Sequence, residues 1–518
     1  MAIVTGGGQI SPVTTNSPSP GLSKSRFVAG WQCHKLLWWT VHEKDAPELQ
    51  PDAVLRDLFD QGKQVGGRAL EEWPGGVLIE GGHHDRGRLA RTREALASAA
   101  PAIFEACFEE GGVFCAVDVL ERNRDGWTLI EVKSSSEVKD YHLPDLAVQV
   151  HVARRAGLVV NRIEVMHLNK DFRHPDQGAL LQRSDVTEAV EALVPDVPRR
   201  IAEYLETLRG PLPGTPVGAH CWFRGSDKPC VFLARCWPQD TDHISNLWNV
   251  GPKRTIEWMQ KGVHRMADIP AGQKLNDKQK RQLRAQRERR LIVERSLADA
   301  LAPALGADRL GFLDFETVGR AIPAWDGLGP WRHAAAQFSY HEARPGGGYA
   351  HAQFLAEGPL DPDDPPDDPR EPLARAMLEA TSGSDRVVVY SAFEGTRIKE
   401  LAERLPHLAG ELLELRDKLW DLKPAVENHV YHPDFRGSFS LKDILHPLVE
   451  DLSYDDLVIV DGRVASVEIA RLLFVSGRIP VPQREKTRRD LLAYCERDTF
   501  ATVRLVERLS ELAAEPTA

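Results

Sequence analysis

The chain has 518 residues, 42% hydrophobic and 27% charged, which is enough for two or three separate cores and too apolar for a disordered or fibrous protein. No stretch approaches eighteen uninterrupted apolar residues, and residues 1–20 lack the basic start and apolar middle of a signal peptide, so no membrane partner and a cytoplasmic location are expected. A formal charge of −11 taken alone argues against binding nucleic acid, while seven cysteines in so long a chain point to metal or cluster ligation rather than a disulfide scaffold.

In chain order, residues 1–22 read as a disordered tail, and a helix begins near Ser23 or Lys24, carrying apolar and aromatic residues around Cys33, Leu36 and Trp39. Short β-type runs follow at 104–108, 112–120 and 127–132, the last two joined by the turn 123–126. A helix over 143–156, a strand over 162–168 and a helix over 190–208 make this unit α/β in type. Gly- and Pro-rich residues 210–216 then lead into a Cys-rich loop. Lys274 to Arg295 holds nine basic residues against three acidic ones and marks the next boundary. Beyond it, 310–316 opens a second strand-rich unit, a strand at 386–390 feeds a helix at 396–404, and a long helix spans about 488–512. Residues 361–369, alternating Asp and Pro, fit only a solvated loop. The expected division is a tail (1–22), a first α/β domain (23–240), a helical hairpin and basic linker (241–300), and a second α/β domain (305–518).

Asp118 falls near the end of one expected strand, and Glu131 and Lys133 alternate on the next, which puts the latter two on one face. Hard carboxylate oxygens suit a divalent cation, and a neighbouring Lys can orient or help deprotonate a water that attacks phosphorus. A polar strand face with a surface salt bridge is the plainer reading of so short a motif. The helix opening at Asp145 and carrying Gln149 adds polar groups facing the same cleft. With that context the segment resembles the PD-(D/E)XK superfamily, in particular the RecB-like nucleases. The resemblance implies a restriction-endonuclease-like fold in which Asp118, Glu131 and Lys133 are catalytic and Gln149 supports them. Ala153 stands where the family often has Tyr, and Gly62, Gly66, His83 and His84 are candidates for its upstream Gly-x-x-x-His.

Cys221, Cys230 and Cys236 lie in a loop-like stretch and Cys33 lies far upstream, while Cys107, Cys115 and Cys495 read as buried bystanders. The irregular spacing lacks the paired knuckles of zinc sites, and iron–sulfur clusters tolerate it. The arrangement resembles the iron–sulfur subset of RecB-like nucleases, which implies that these four cysteines clasp the fold around a structural [4Fe-4S] cluster. Residues 244–254 and 262–269 resemble a helix-hairpin-helix, whose turn offers backbone N–H groups to a phosphate without reading bases. Gly251, Lys253 and Arg254, with Lys278, Lys280, Arg281 and Arg284 of the basic run, are the candidate nucleic-acid contacts; a capping turn and a solvated helical face are the alternatives.

Asp314 and Glu316 share one side of a strand, and Tyr494 and Asp498 share one face of the last helix. This set resembles the DnaQ-like exonucleases of the RNase H fold in their tyrosine variant. Glu394 stands where that family has Asp, and Asp421 is the runner-up carboxylate. The resemblance implies Mg2+ or Mn2+ at both sites, held by Asp118, Glu131, Asp314, Glu316 and Asp498. The whole order resembles a bacterial fusion of the two nuclease types. A metal-dependent deoxyribonuclease is therefore expected, acting on single strands or ends in DNA repair, processing or defence, with the N-terminal centre as the main one. RNA is a second candidate substrate, a helicase or defence-system protein a candidate partner, and a non-catalytic nucleic-acid-binding adaptor the alternative.

Overall fold

Period-two alternation of buried Val113, Cys115, Val117 and Val119 drives the longest strand of the first unit. The computed structural model describes residues 21–515 apart from 83–84, 226–228, 345 and 362, so most of the tail and both His83 and His84 lie outside the described residues. The first sheet contains β1 (Leu22–Ser23), β2 (Val77–Leu78), β3 (Ala102–Glu110), β4 (Val113–Asn123), β5 (Gly126–Lys133), β6 (Val160–Leu168) and β7 (Leu181–Asp185). Its order is β2-β3-β4-β5-β6-β7, with β1 parallel to β4. Leu22, placed in the tail by the sequence, is instead buried and pairs with Val113.

Helices Lys24–Gln32, His142–Arg155 and Val197–Arg209 share one core cluster with this sheet, built on Phe27, Leu146, Val150 and Tyr204. Two expected helices differ from expectation. The first breaks at Cys33, whose extended backbone separates Lys24–Gln32 from His34–His42. The helix expected over 190–208 is split into Thr187–Glu191 and Val197–Arg209 by a 3-10 turn, Val194–Asp196. Pro195 and Pro198 fall there, and neither has an N–H for a continuing helix.

In the second unit β8 (Ile292–Val293) pairs with β14 (Val430–Tyr431), and β9 (Leu310–Gly319), β10 (His333–Ala343), β11 (Tyr349–Leu355), β12 (Arg386–Val389) and β13 (Leu419–Asp421) form one sheet. The order is β11-β10-β9-β12-β13, with β12 parallel to β9 and to β13 and with β10 antiparallel to both its neighbours. The final helix runs Val481–Ala514, longer at its start than expected, since Pro482 suits a first turn. The boundary drawn at 300–305 does not divide the core: Ala285, Ile292, Leu297 and Leu301 pack in the same cluster as Phe312 and Leu505.

The two α/β units dock directly. Arg320 Nη1 donates to Asp57 Oδ1 of the helix Ala53–Leu70 at 2.8 Å, and the Ala321 N–H to Gln61 Oε1 at 2.6 Å. Trp331 Nε1 donates to the Ser134 carbonyl at 2.6 Å, one residue beyond Lys133. Val65, Leu168 and Ala321 close a small apolar cluster between the units.

Candidate functional sites

The β4–β5 ladder ends at Val119 opposite Ile130. Past it, the Asp118 carboxylate takes the place of a main-chain acceptor, receiving the Val132 N–H at 2.8 Å. Glu131 follows on β5, which runs between β4 and β6 and is buried over most of its length. Gln149, fully buried on the helix His142–Arg155, donates from Nε2 to Glu131 at 2.8 Å and to Asp145 at 3.2 Å, and its Oε1 has no partner among the described residues. Lys133 Nζ reaches Glu131 Oε1 at 2.6 Å and Asp145 Oδ2 at 3.0 Å. The fold thus brings the four expected residues together around Asp145.

It adds one that sequence spacing does not flag. Lys24 Nζ lies 3.0 Å from Glu131, 3.8 Å from Asp118 and 4.0 Å from Asp145, so one ammonium sits among three carboxylates. Burial works against the charged form of Glu131, yet Lys133 and Lys24 outweigh it and hold this carboxyl well below its usual range. Burial and then the Glu131 charge push Asp118 up to about 7 and also raise Asp145. Against the desolvation that would lower it, Glu131 and Asp145 keep Lys133 above its usual value, and Glu131, Asp118 and Asp145 do the same for Lys24.

In the second unit, Asp314 and Glu316 project from central β9, and Asp498 from the long helix; their ligand oxygens lie within 4.8 Å of one another. Glu394 joins them from the first turn of the helix Phe393–Arg404, just past the end of β12. Asp421, at the end of β13, accepts the Lys423 N–H at 2.9 Å, the first N–H of the helix Lys423–His429. Tyr454 OH donates to Asp498, and Lys442 Nζ donates to Tyr494 OH at 2.9 Å. Tyr454 and Lys442 are further members that no motif announces, because each reaches the site from a loop or helix more than 40 residues before Asp498 in sequence.

Burial, then Asp498, Glu394 and Glu316, push Asp314 well above the usual carboxylate range; burial and Asp498 do the same to Glu316. Burial raises Glu394 to about 7 and raises Asp498 despite the Tyr454 hydrogen bond. Among the described residues, four carboxyls here face the Lys442 ammonium, with Asp461 a further negative charge acting on Glu316, whereas the first site sets three carboxyls against two ammonium groups. A cluster so short of positive charge fits divalent cations with hard oxygen ligands.

The four expected cysteines also converge. Cys33 follows the first helix, Cys221 lies in the 3-10 segment Ala219–Gly225, and Cys236 closes the helix Leu233–Cys236. With Cys230 they line one cavity together with Leu36, Trp39 and Phe232. The Cys230 N–H donates to the Cys221 carbonyl at 2.7 Å, which joins the two cysteine-bearing turns. Burial raises Cys230 to about 11 and also raises Cys221, so both thiols keep their protons at neutral pH. Cys107, Cys115 and Cys495 are buried elsewhere.

Within the basic run, Arg281 departs from the expected nucleic-acid contacts, while Lys280 and Arg284 remain exposed. Arg281 is 7% exposed, donates to the Glu427 and Asn428 carbonyls and to Glu294, and so packs the helix Asp277–Glu288 onto the second unit. Lys278 pairs with Glu427 and lies over Trp248, Arg284 pairs with Glu294, and Lys280 with Asp277. Of these acids only Glu427 lies outside the run, so the pairing orders these side chains and removes little of the local positive excess. Gly251, at φ 68°, opens the helix Gly251–Gln260, where Lys253 and Arg254 are exposed. The hairpin is built from this helix and 3-10 turns at Ile244–Asn246 and Met266–Asp268 rather than from two full helices.

A protein-family profile described as a domain of unknown function, DUF2779, matches residues 311–440. The matched segment contains Asp314, Glu316, Glu394 and Asp421 and stops before Tyr494 and Asp498. No curated protein matches the chain.

Proposed function

We propose that the chain is a metal-dependent nuclease with two hydrolytic centres, acting on single-stranded DNA or on DNA ends. The observation that carries this reading is the convergence of Asp314, Glu316 and Asp498 within 4.8 Å, with Glu394 beside them and one lysine to balance four carboxyls. Asp314, Glu316 and Asp498 would hold Mg2+ or Mn2+ in the second unit, and Asp118 and Glu131, aided by Asp145, in the first. Bound there, such ions polarise a phosphodiester and lower the pKa of an attacking water.

The remaining roles belong to side chains. Tyr494 is held far above the usual phenol range, by burial first and then by Asp498, so it keeps its proton and orients a nucleophile rather than deprotonating it. Lys442 fixes the phenol oxygen from the other side. Lys133, kept charged by Glu131 and Asp145, serves as a cationic donor to developing negative charge and not as a base. Cys33, Cys221, Cys230 and Cys236 would hold a [4Fe-4S] cluster that clamps the ends of the first domain together.

A second reading, a nucleic-acid-binding adaptor with an idle first centre, is favoured by one observation: the Lys24 ammonium already occupies the space among Asp118, Glu131 and Asp145. A time course on end-labelled single-stranded DNA, duplex DNA and RNA, with and without Mn2+, separates these readings. Wild type should cleave DNA only with Mn2+ or Mg2+, Asp314→Ala should lose end-directed degradation, and Glu131→Ala should lose the remainder. Cleavage unchanged in both well-folded variants would overturn the proposal. Activity confined to RNA would reassign the second centre to RNA, and cleavage lost only in Asp314→Ala would leave the first domain as an adaptor.

A further inference from the structure

A second cluster of ligating groups, sharing no residue with the carboxylate centre, joins the long helix to strands β10 and β11. His341 of β10 stands directly opposite His351 of edge strand β11, their ring centroids 4.5 Å apart. Glu496, on the helix turn between Tyr494 and Asp498, approaches from above, with Oε1 3.9 Å from His351 Nδ1. One ligand atom from each of the three residues lies within 4.8 Å of the other two. His341 is buried, while His351 and Glu496 are exposed.

The far nitrogens of both rings are already engaged. His341 Nδ1 is 3.0 Å from Thr499 Oγ1, His351 Nε2 is 3.0 Å from Ser339 Oγ, and the two hydroxyls are 2.6 Å apart. Thr499 Oγ1 in turn donates to the Glu496 carbonyl at 3.0 Å. One proton arrangement serves every member: each ring donates from its far nitrogen, Ser339 donates to Thr499, and Thr499 donates to the main chain. It leaves lone pairs on His341 Nε2 and His351 Nδ1 beside the Glu496 carboxylate. Hydroxyls that orient the rings from behind are what a metal-ligating histidine needs to fix its tautomer.

From these contacts we infer that His341, His351 and Glu496 form a transition-metal site, separate from the Asp314 centre, that takes Zn2+ or a similar borderline ion and leaves one coordination position open. Two imidazoles and one carboxylate are a zinc ligand set, and bonds of about 2.0–2.2 Å place such ligands roughly 3.4 Å apart. The present spacing therefore closes by about 1 Å on loading, a movement open to exposed His351 and Glu496. Because Glu496 stands between Tyr494 and Asp498, an ion here ties their helix turn to the sheet edge.

Zn2+ titration of the full chain in excess Mg2+, read by calorimetry and by metal content after desalting, tests the site independently of any nuclease activity. Wild type, Cys230→Ser and Asp314→Asn should share one Zn2+ equivalent that His351→Ala lacks. Glu496→Gln should weaken that equivalent at least about tenfold, and Ser339→Ala by roughly 10- to 100-fold, as loss of an orienting partner does. His351→Gln, which keeps a polar side chain at this surface position, guards against misfolding. Equal Zn2+ stoichiometry and affinity in wild type, His351→Ala and His351→Gln would overturn the inference, as would loss of the same equivalent in Asp314→Asn.

Discussion

Lys24 illustrates how one side chain decides the state of a site. Its ammonium neutralises part of a three-carboxylate cluster and so occupies the position a divalent cation would take. Removing one member of a mostly buried charged group strands the others, at a cost of about 3 kcal/mol. Lys24→Met should therefore lower the urea midpoint of the metal-free protein. It should also tighten Mn2+ binding at the first centre, because the competing cation is gone. Calorimetry in an Asp314→Asn background isolates that centre, and weaker Mn2+ binding there would show that Lys24 supports the site rather than competing for it. The motif Asp118, Glu131, Lys133 was legible because strand periodicity places its members at fixed spacing. Lys24 was not, since it meets Glu131 across a sequence separation of 107 that only the folded sheet brings together. Tyr454 and Lys442 escaped for the same reason: each is an ordinary residue until tertiary structure sets it beside Asp498 or Tyr494.

At the scale of elements, hydrophobic period located most of the strands and helices and misjudged what charge does. The run from Lys274 to Arg295 looks like an electrostatic footprint in sequence, where nothing shows that Glu294 and Glu427 fold back against it. Arg281 is instead a packing residue whose guanidinium serves two helix-end carbonyls and Glu294. Hydrogen bonds from a charged donor contribute about 1.5–3 kcal/mol. Arg281→Ala should cost stability of that order in a urea melt while leaving the salt dependence of DNA binding unchanged. A reduced salt slope would restore the arginine to the nucleic-acid interface. The cysteine-bearing elements make a contrasting case. Thiols 33, 221, 230 and 236 were legible as a set, and the fold places all four on one cavity. Cys230→Ser should abolish the brown colour and iron content of purified protein, and lower its melting temperature before any change in cleavage appears; zinc without iron in the wild type would overturn the cluster assignment.

At the scale of the whole molecule, the proposed metal ions would compete with protons for the same carboxyls. Asp118 and Glu394 are pushed up to about 7, and Asp145, Asp314, Glu316 and Asp498 are also raised, burial being the leading cause in each. An unfolded carboxyl titrates near 4, so the folded chain holds protons that the unfolded chain has released. Stability from these groups is complete below about pH 4 and is lost as pH rises toward and beyond 7. Glu131, held low by its lysines, works in the opposite sense: its contribution is present above about 4.5 and lost in acid. Six histidines lowered by burial, His341 among them, oppose these carboxyls below about pH 6.5; above it the raised carboxyls set the direction, so the metal-free protein should melt lower at pH 8 than at pH 6.5. Divalent cations replace the lost protons, and the rise in melting temperature on adding Mn2+ should accordingly be larger at pH 8. An asparagine mimics the protonated state permanently. Asp314→Asn without metal at pH 8 should therefore melt above wild type while responding less to Mn2+, the pattern expected where a strained, charge-dense site trades stability for function. Because Arg320, Ala321 and Trp331 join the second unit to the first, this gain should appear in the transition of the whole chain. An Asp314→Asn protein that melts below wild type under those conditions would show that the carboxylate is held by favourable partners, and that the cluster is a structural network rather than a vacant seat for cations.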